Sequence, residues 1–522
     1  MTKRCVLILA AALIFLSACS GENPEGQAVA TAEPETGWGD PVHGGRIVFA
    51  EIGEASNLIP QLASDGASHD IAQHLYVSLL RYDKDLNVET FAAESFDILD
   101  DGLRFRFKLR EGIMWDDGVE LTAEDVKFTY ELMIDPETPT AYAENYLNVK
   151  DFKLIDRYTL EVAYDEIFAK SVISWMTEIL PKHILEGQDL LDNPQIRTPV
   201  SSGPYRLKEW VPGDRIVLEA REEYFEGKPY IDTMIYRIIP DQATIFFELK
   251  AGAVDMTSLT PKQYLYLTDG AQWEENYQKY QYMAFGYTYL GYNFRKELFQ
   301  DRKVRLALTH AIDKEEIVKG VLMGLGTPTI GPYKPDTWVY NHELTPHVYD
   351  PELAKELLAE SGWTDSDGDG ILDKDGKPFS FSIMTNQGND QRIKAATIIQ
   401  NRLAQIGIET KIRTVEWAVF TKEFLDKGNF DAIVMGWNIT ADPDLYNVWH
   451  SSKAVEGGLN FTFYKNPELD EVLEAGRRTV VQEERKQHYD RLQEILYEDQ
   501  PYCFLYVSDA LPMVHRRYQG LE

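Results

Sequence analysis

The sequence predicts an α/β protein built from several structural units. The chain has 522 residues, which is too long for one hydrophobic core and corresponds to roughly three units at about 150 residues each. The short apolar run at 432–437 is typical of a strand buried on both faces. Beyond the aromatic stretch at 282–294, helical and strand patterns alternate. Together these observations favour a mixed fold with a buried sheet in its second half.

The first half of the folded chain is rich in strand patterns. Strands are predicted at 46–50, 103–109, 159–163 and 216–220. Apolar residues at helical spacing predict a helix over 68–80. A helix over 126–133 is expected after Thr122 and Asp125, which match a capping box. A polar loop at 51–60 separates the first strand from the first helix.

The second half alternates between the two patterns. A long aromatic strand over 282–294 is expected to carry the chain into a second lobe. Helices are predicted at 301–319, 350–362, 390–406, 416–427 and 479–498. Further strands are predicted at 408–415, 432–437 and 502–507. The last strand follows a proline stop and is expected to return to the first lobe.

Composition narrows the classes of partner. The 85 acidic residues against 52 basic ones give a formal net charge of −33. Such a surface repels nucleic acid and anionic lipid, and no basic stripe offsets it. With 44% hydrophobic residues, the chain can fold as a globular protein. We therefore expect no nucleic-acid partner.

The first residues indicate export to the outside of a bacterial cell. Lys3 and Arg4 precede an apolar segment at 6–16 that is too short to span a bilayer, and small residues then lead to Cys19. The pattern is similar to a bacterial lipoprotein signal, which implies cleavage before Cys19 and lipidation of its thiol. Residues 1–18 are then the signal peptide and 19–43 a flexible tether. The predicted location is extracytoplasmic, anchored by lipid to the membrane, in the periplasm or at the cell surface.

Residues with binding chemistry are concentrated after the strand at 432–437. Gly436, Trp437 and Asn438 bring an indole and an amide to the strand end, and Asp442 and Asp444 follow in a loop with a proline. Ligands of α/β proteins sit at strand ends, where polar groups converge. The stretch therefore predicts a ligand cleft. The alternative is a core tryptophan beside a solvated acidic turn.

Several motifs, in order, resemble the extracytoplasmic solute-binding proteins of ABC importers, the family 5 lipoproteins that include oligopeptide- and dipeptide-binding proteins. The motifs lie at 107–133, 201–210, 290–318, 349–363 and 436–452. The resemblance covers nearly all of the chain after the signal. It implies a two-lobed, periplasmic-binding-protein-like α/β fold of class II, of the large type with an extra inserted domain. The ligand cleft would lie between the lobes.

The resemblance also implies how the chain is divided. Lobe I would comprise 44–62, 198–285 and 500–522, with an extra domain inserted at 63–197, and lobe II would comprise 286–499. Hinge closure around a ligand is the behaviour expected of such proteins. The implied function is a lipid-anchored receptor that captures peptides, in particular oligopeptides, and delivers them to the permease subunits of an ABC transporter. We expect a monomer that is not an enzyme.

The cleft implied by this resemblance would hold an extended peptide through main-chain hydrogen bonds to strands. The predicted ligand-binding residues are Gly436, Trp437, Asn438, Asp442, Asp444, Tyr289, Tyr292, Asn293 and Asn57. In the family pattern an aspartate that pairs with the peptide ammonium stands where this chain has Thr440. Asp442 and Asp444 are expected as substitutes, because a desolvated ammonium needs a counter-charge.

Other functions remain open. The same fold could bind a sugar, a nickel complex or another small solute, or it could serve a sensor that passes its bound form to a receptor. A more distant alternative is a secreted hydrolase that uses paired carboxylates. The sequence contains no nucleophile elbow, zinc helix or Walker loop.

An acidic segment suggests one cofactor, a structural calcium ion. Asp365, Asp367, Asp369 and Asp373 have the spacing of a calcium loop, with Gly370 at the turn. Gly376 stands where an EF-hand places its bidentate glutamate. A bare acidic hairpin is therefore the alternative, and no other cofactor is expected.

Overall fold

A computed structural model of the chain describes residues 39–521. The predicted signal peptide at 1–18, the lipidation site Cys19 and most of the predicted tether lie outside these residues. Within the described part, we find no helix whose length and hydropathy would let it cross a membrane.

Within residues 39–521, the strands fall into two large sheets and three smaller ones. In chain order they are β1 (Arg46–Glu51), β2 (Leu80–Tyr82), β3 (Val88–Thr90), β4 (Ala93–Leu99), β5 (Arg104–Leu109), β6 (Val149–Leu154), β7 (Thr159–Tyr164), β8 (Tyr205–Val211), β9 (Arg215–Ala220), β10 (Thr233–Ile238), β11 (Met256–Ser258), β12 (Tyr277–Lys279), β13 (Tyr282–Met283), β14 (Gly286–Tyr292), β15 (Gly326–Pro328), β16 (Asp373–Lys374), β17 (Lys377–Pro378), β18 (Ser380–Asn386), β19 (Glu409–Val415), β20 (Ala432–Asn438), β21 (Tyr502–Ala510) and β22 (Pro512–His515).

Helices lie between these strands and cover the sheets. In chain order they are α1 (Gly66–Leu75), α2 (Ala123–Ile134), α3 (Lys182–Leu185), α4 (Gln242–Lys250), α5 (Ala271–Asn276), α6 (Arg302–Ala311), α7 (Lys314–Val321), α8 (Pro351–Glu360), α9 (Asp390–Ala404), α10 (Trp417–Val419), α11 (Tyr446–Trp449), α12 (Pro467–Arg478) and α13 (Gln482–Asp499).

The first sheet takes strands from both ends of the described chain and from its middle. Its order is β12-β22-β11-β1-β10-β9-β8. β1 lies at the centre and runs parallel to β10 and β11, with Val48 and Ala50 buried. A hydrophobic core on this sheet includes Leu249 and Leu511. Strands distant in sequence therefore share one core.

A smaller antiparallel sheet, β4-β5-β7-β6, lies within the region predicted as an insertion. In β5, Phe105 and Phe107 are buried while Arg106 between them is exposed. The half-buried strand predicted from this alternation is confirmed. α2 begins at the predicted capping box. The Thr122 side chain accepts a hydrogen bond from the backbone of Asp125, and the Asp125 side chain accepts one from the backbone N–H of Thr122.

The second large sheet contains the strand that the sequence singled out. Its order is β13-β21-β14-β20-β18-β19, with β15 on the outer side of β21. β14 is antiparallel to both β20 and β21, whereas β18 is parallel to β20 and β19. Ile433 and Val434 of β20 are fully buried, because hydrophobic cores cover both faces of the sheet. The predicted buried strand is confirmed.

Several predicted elements differ from the structure, among them the strand expected over 282–294, which is divided into β13 and β14. The strand predicted over 502–507 pairs within the second sheet as β21, and the chain enters the first sheet only after Leu511, with β22. The predicted lobe boundaries stay a prediction. Residues 502–507 are buried on both faces, which requires a position inside a sheet covered on both sides. The helix predicted over 301–319 is broken before Lys314, where Asp313 caps α7. α1 ends at Leu75, and residues 420–425 form a π-helical turn.

A candidate ligand cleft

The end of β20 is exposed to a cleft. Residues 436–438 pair antiparallel with 286–288 of β14, whereas β18 pairs with β20 only at Ala432 and Ile433. Trp437 is half-buried: its indole stacks on Phe461 with ring centroids 5.1 Å apart, and its Nε1–H donates to the Tyr502 hydroxyl over 3.4 Å. The tryptophan therefore has one side fixed by packing and also lines a cavity.

We call that cavity the arginine cavity; its volume is about 420 Å³. Arg392 of α9 lines it and donates from Nη1 to the Asn386 side chain over 2.9 Å. No carboxylate pairs with this guanidinium within residues 39–521. A Cβ at Gly436 would lie 3.0 Å from Arg392 Nη2 and 2.9 Å from the Tyr287 carbonyl oxygen, so glycine permits their close approach. Burial lowers the pKa of Arg392.

A second cavity, of about 340 Å³, lies where residues of the predicted insertion at 63–197, called the inserted region below, meet the loop after β20. Its lining from the inserted region includes Tyr82, Tyr142, Tyr146, His69 and Glu178. Its lining from the loop comprises Thr440 and Asp442. We call it the tyrosine cavity.

The arginine and tyrosine cavities are neighbours along one segment of chain. Asn438 lines the first and Thr440 lines the second. Two residues of extended chain span at most about 7 Å. A ligand that follows this segment can therefore reach both cavities.

Asp442 and Asp444 do not offer free carboxylates to these cavities. Asp442 forms a two-pronged ion pair with Arg485, over 2.7 and 3.0 Å. Asp444 lies 2.8 Å from Arg477 Nη2 and 3.4 Å from Lys170 Nζ, with 2% of its side chain exposed. Burial acts to raise the pKa of Asp444, but Lys170 and Arg477 outweigh it and hold that pKa well below its usual range. Their predicted role as ammonium partners does not fit this geometry, because helices distant in sequence already neutralise both.

Three other predicted residues lie in the core rather than at the cleft. Tyr289, Tyr292 and Asn293 are all 0% exposed. Tyr289 stacks on Tyr502 at 3.9 Å between centroids. Asn293 donates to the carbonyl oxygens of residues 428 and 430 over 3.0 and 2.7 Å. β14 is central and covered on both faces, so these three side chains lie in the core, whereas residues 286–288 at the start of the strand line the arginine cavity. A role of the three residues in ligand binding stays a prediction.

Asn57 lies beside a third cavity of about 360 Å³. This cavity is lined by Lys422 and Asp426 from the second half of the chain as well as by the loop of Asn57. The Asn57 side chain accepts from the Ile59 N–H over 3.0 Å and donates to the Leu62 carbonyl over 3.3 Å. In this arrangement Asn57 holds its own loop at the cleft edge.

The acidic loop contains three of the four predicted calcium ligands in one group. One carboxylate oxygen each of Asp365, Asp367 and Asp369 lies within 4.8 Å of the others, and all three residues are exposed. Asp373 instead accepts from the Ser366 hydroxyl, over 2.8 Å at Oδ1 and 2.7 Å at Oδ2. Oxygen ligands at such spacing suit calcium, and hairpins also show them without an ion. Calcium binding stays a prediction.

The sequence patterns did not indicate that Arg392 and Glu178 line the two cavities. Arg392 stands in the first turn of α9, where the helix dipole disfavours a cation. An arginine at this unfavourable position is the one sequence feature that could have indicated a binding role. Nothing around Glu178 in the sequence distinguishes it from the other acidic residues.

Comparison with known proteins agrees with this architecture. The model of the bacterial extracellular solute-binding proteins, family 5, matches residues 87–457. The chain is 38% identical to the oligopeptide-binding protein AppA of Bacillus subtilis, over 99% of this chain and 95% of AppA. The crystal structure of AppA with a nonapeptide superposes with a TM-score of 0.88 at 36% identity and covers 92% of this chain and 97% of AppA.

Two further solved structures show the range of ligands among similar proteins. Helicobacter pylori DppA, in complex with the peptide STSA, has a TM-score of 0.84 at 27% identity, over 92% of this chain and 96% of DppA. Campylobacter jejuni NikZ, in complex with Ni(L-His), has a TM-score of 0.82 at 27% identity, over 91% of this chain and 95% of NikZ. The match of the family model to most of the chain shows that this protein belongs to the family 5 bacterial extracellular solute-binding proteins and has their two-lobed α/β fold.

Proposed function

We propose that this protein is an extracytoplasmic receptor that captures peptides in the cleft and delivers them to the permease of an ABC transporter. The observation that carries the proposal is Arg392, a guanidinium that faces a cleft cavity without a carboxylate partner in the described part of the chain. A buried cation is costly unless it is paired. A carboxylate of the ligand, either its terminus or an acidic side chain, would pair with it.

The main chain beside Arg392 suits an extended ligand. β20 continues to Asn438, but β18 stops pairing with it after Ile433, so one edge of residues 435–438 has no neighbouring strand among residues 39–521. Extended peptides add to such edges through main-chain hydrogen bonds, which do not depend on side-chain identity. The peptides bound to AppA and DppA support this choice of ligand class.

The remaining parts of the proposal come from the sequence. Lipidation of Cys19 would keep the receptor at the membrane, and the mature protein would act as a monomer. We propose no catalytic role. A nickel complex, a sugar or another small solute is the second candidate ligand, and the Ni(L-His) complex of NikZ supports it.

Native mass spectrometry on the soluble chain that starts after Cys19 tests the ligand class. After purification from its bacterial host, the protein would be measured intact and then denatured to release any bound molecules. We expect a ladder of masses that fragment as short peptides. A single mass with a nickel isotope pattern, or one that fragments as a sugar, would contradict peptide capture and support the second candidate.

A further inference from the structure

The tyrosine cavity has aromatic walls. Tyr82, Tyr142 and Tyr146 line it from the inserted region. The Tyr142 hydroxyl donates to the Ala63 carbonyl over 2.9 Å, and the Tyr146 hydroxyl donates to the Ser174 carbonyl over 2.7 Å. Because both hydroxyl hydrogens are used, these two walls offer π-surface rather than a hydrogen-bond donor. Aromatic surface of this kind attracts cations.

Glu178 places a carboxyl group at the same cavity. Its carboxylate forms no ion pair with a lysine or an arginine in the described chain. Burial raises its pKa, and nearby His69 lowers that pKa only in part. The position of the residue is fixed through its backbone, because its carbonyl accepts from Gln61 Nε2 over 2.6 Å and it forms a β-bridge with Ser78.

The other charged groups at this cavity are already paired. Asp442 is neutralised by Arg485, and Lys170 lies 3.4 Å from Asp444. His69 Nε2 lies 3.2 Å from the Ala63 carbonyl oxygen, so the imidazole is held by the backbone. Glu178 therefore lacks a lysine or arginine partner among residues 39–521, and His69 is the charged neighbour that acts on it, so an ammonium group of a ligand can pair with this carboxylate.

We propose that Glu178 is the specificity-determining residue that binds a primary ammonium group of the ligand, with the ring surfaces of Tyr82, Tyr142 and Tyr146 around it. This inference rests on the proposed peptide function and deepens it. It places the counter-charge on the inserted region, whereas the carboxylate-binding Arg392 is on α9. A bound peptide would then connect the two parts of the chain electrostatically and favour the closed cleft.

Isothermal titration with three synthetic pentapeptide pools tests the proposal. The first pool has free amino termini and contains no charged side chains, the second is the same pool acetylated at its amino termini, and the third is acetylated and carries one lysine. We expect the unsubstituted protein to bind a pool with an ammonium roughly ten- to a hundredfold more tightly than the acetylated pool. The first pool would identify the amino terminus as the source of the ammonium, and the third would identify lysine.

Glu178→Gln should remove this preference and leave the weak binding of the acetylated pool unchanged. Glu178→Asp should keep part of the preference, and the surface variant Glu111→Gln should keep all of it.

Thermal melting separates binding from structure, because removal of a desolvated charge should leave the melting temperature of Glu178→Gln at or above that of the unsubstituted protein. Retention of the full preference by Glu178→Gln would overturn the proposal, and so would an equal loss for all pools with a lower melting temperature. If the unsubstituted protein binds none of the pools, the peptide function itself is wrong.

Discussion

Arg477 Nη2 lies 2.8 Å from Asp444 Oδ2, and both side chains are buried, with 6% and 2% of their surface exposed. The same arginine reaches the inserted region: its Nη2 donates to the Asn145 side chain over 3.3 Å, and its carbonyl oxygen accepts from the Ala169 N–H over 2.7 Å. Lys170 completes the cluster beside Asp444. This ion pair therefore fixes the loop after β20 and connects the end of α12 to the opposite side of the cleft.

Arg477→Met should destabilise the protein by about 3 kcal/mol, because it leaves the buried Asp444 carboxylate with Lys170 at 3.4 Å and the Tyr446 N–H, but without its closer cation. Urea denaturation followed by tryptophan fluorescence measures this change. The double variant Arg477→Met with Asp444→Asn should regain part of the loss, since no uncompensated charge remains.

An exposed ion pair serves as the matched control for this buried pair. Lys427 pairs with Glu423 on the surface, with 44% and 56% of the side chains exposed. Lys427→Met should change stability by less than about 1 kcal/mol. Equal losses at the buried and exposed pairs would contradict the assignment of a structural role to Arg477.

Arg392→Gln should weaken peptide binding by roughly tenfold or more, because a hydrogen-bonded charge pair with a ligand carboxylate is lost. Titration with a peptide pool and with the same pool amidated at its carboxyl termini measures the effect. If Arg392 binds the terminus, amidation should weaken binding to the unsubstituted protein and have little effect on the variant. Unchanged affinity of Arg392→Gln for both pools would remove this residue from the site.

Glu51→Gln should stabilise the protein at pH 8 and have little effect at pH 4.5. Burial, together with Asp70, raises the pKa of Glu51 from 4.5 to about 7. The folded state then holds the proton more tightly than the unfolded state, so the contribution of Glu51 to stability falls as pH rises from 4.5 to 7. Since the side chain is partly exposed, we expect a gain of about 1–2 kcal/mol at pH 8.

Denaturation curves at the two pH values measure the effect of Glu51→Gln, and Glu275→Gln on the exposed face of α5 is the control. A gain of the same size at both pH values would show that the effect does not come from ionisation.

Millimolar calcium should raise the melting temperature if the loop at 365–376 binds the ion as predicted. Three exposed carboxylates in a short loop suit the weak affinities of extracellular calcium sites, roughly 0.1–1 mM. Excess EDTA should reverse the shift, and Asp367→Asn should abolish it. Magnesium is the matched control. The same shift with magnesium, or none with calcium, would favour the bare acidic hairpin.

Local patterns in the sequence were enough to predict many elements. Alternation of apolar and basic residues defines β5, and the uninterrupted apolar run defines β20, because side-chain period and burial depend on neighbouring residues. The Thr122 cap depends on a contact three residues away and was equally visible. The motifs in their order were also sufficient to identify the family.

Position within the cleft could not be predicted in this way. Tyr289 and Trp437 are both aromatic residues on adjacent strands, yet the first is buried at the centre of a sheet and the second reaches a cavity. Asp442 and Glu178 are both carboxylates, but Arg485 neutralises only the first. The sequence alone therefore determined the class of fold, the family and the strand that borders the cleft. Only the tertiary structure decided which charges remain unpaired there, because their partners come from helices and strands far away along the chain.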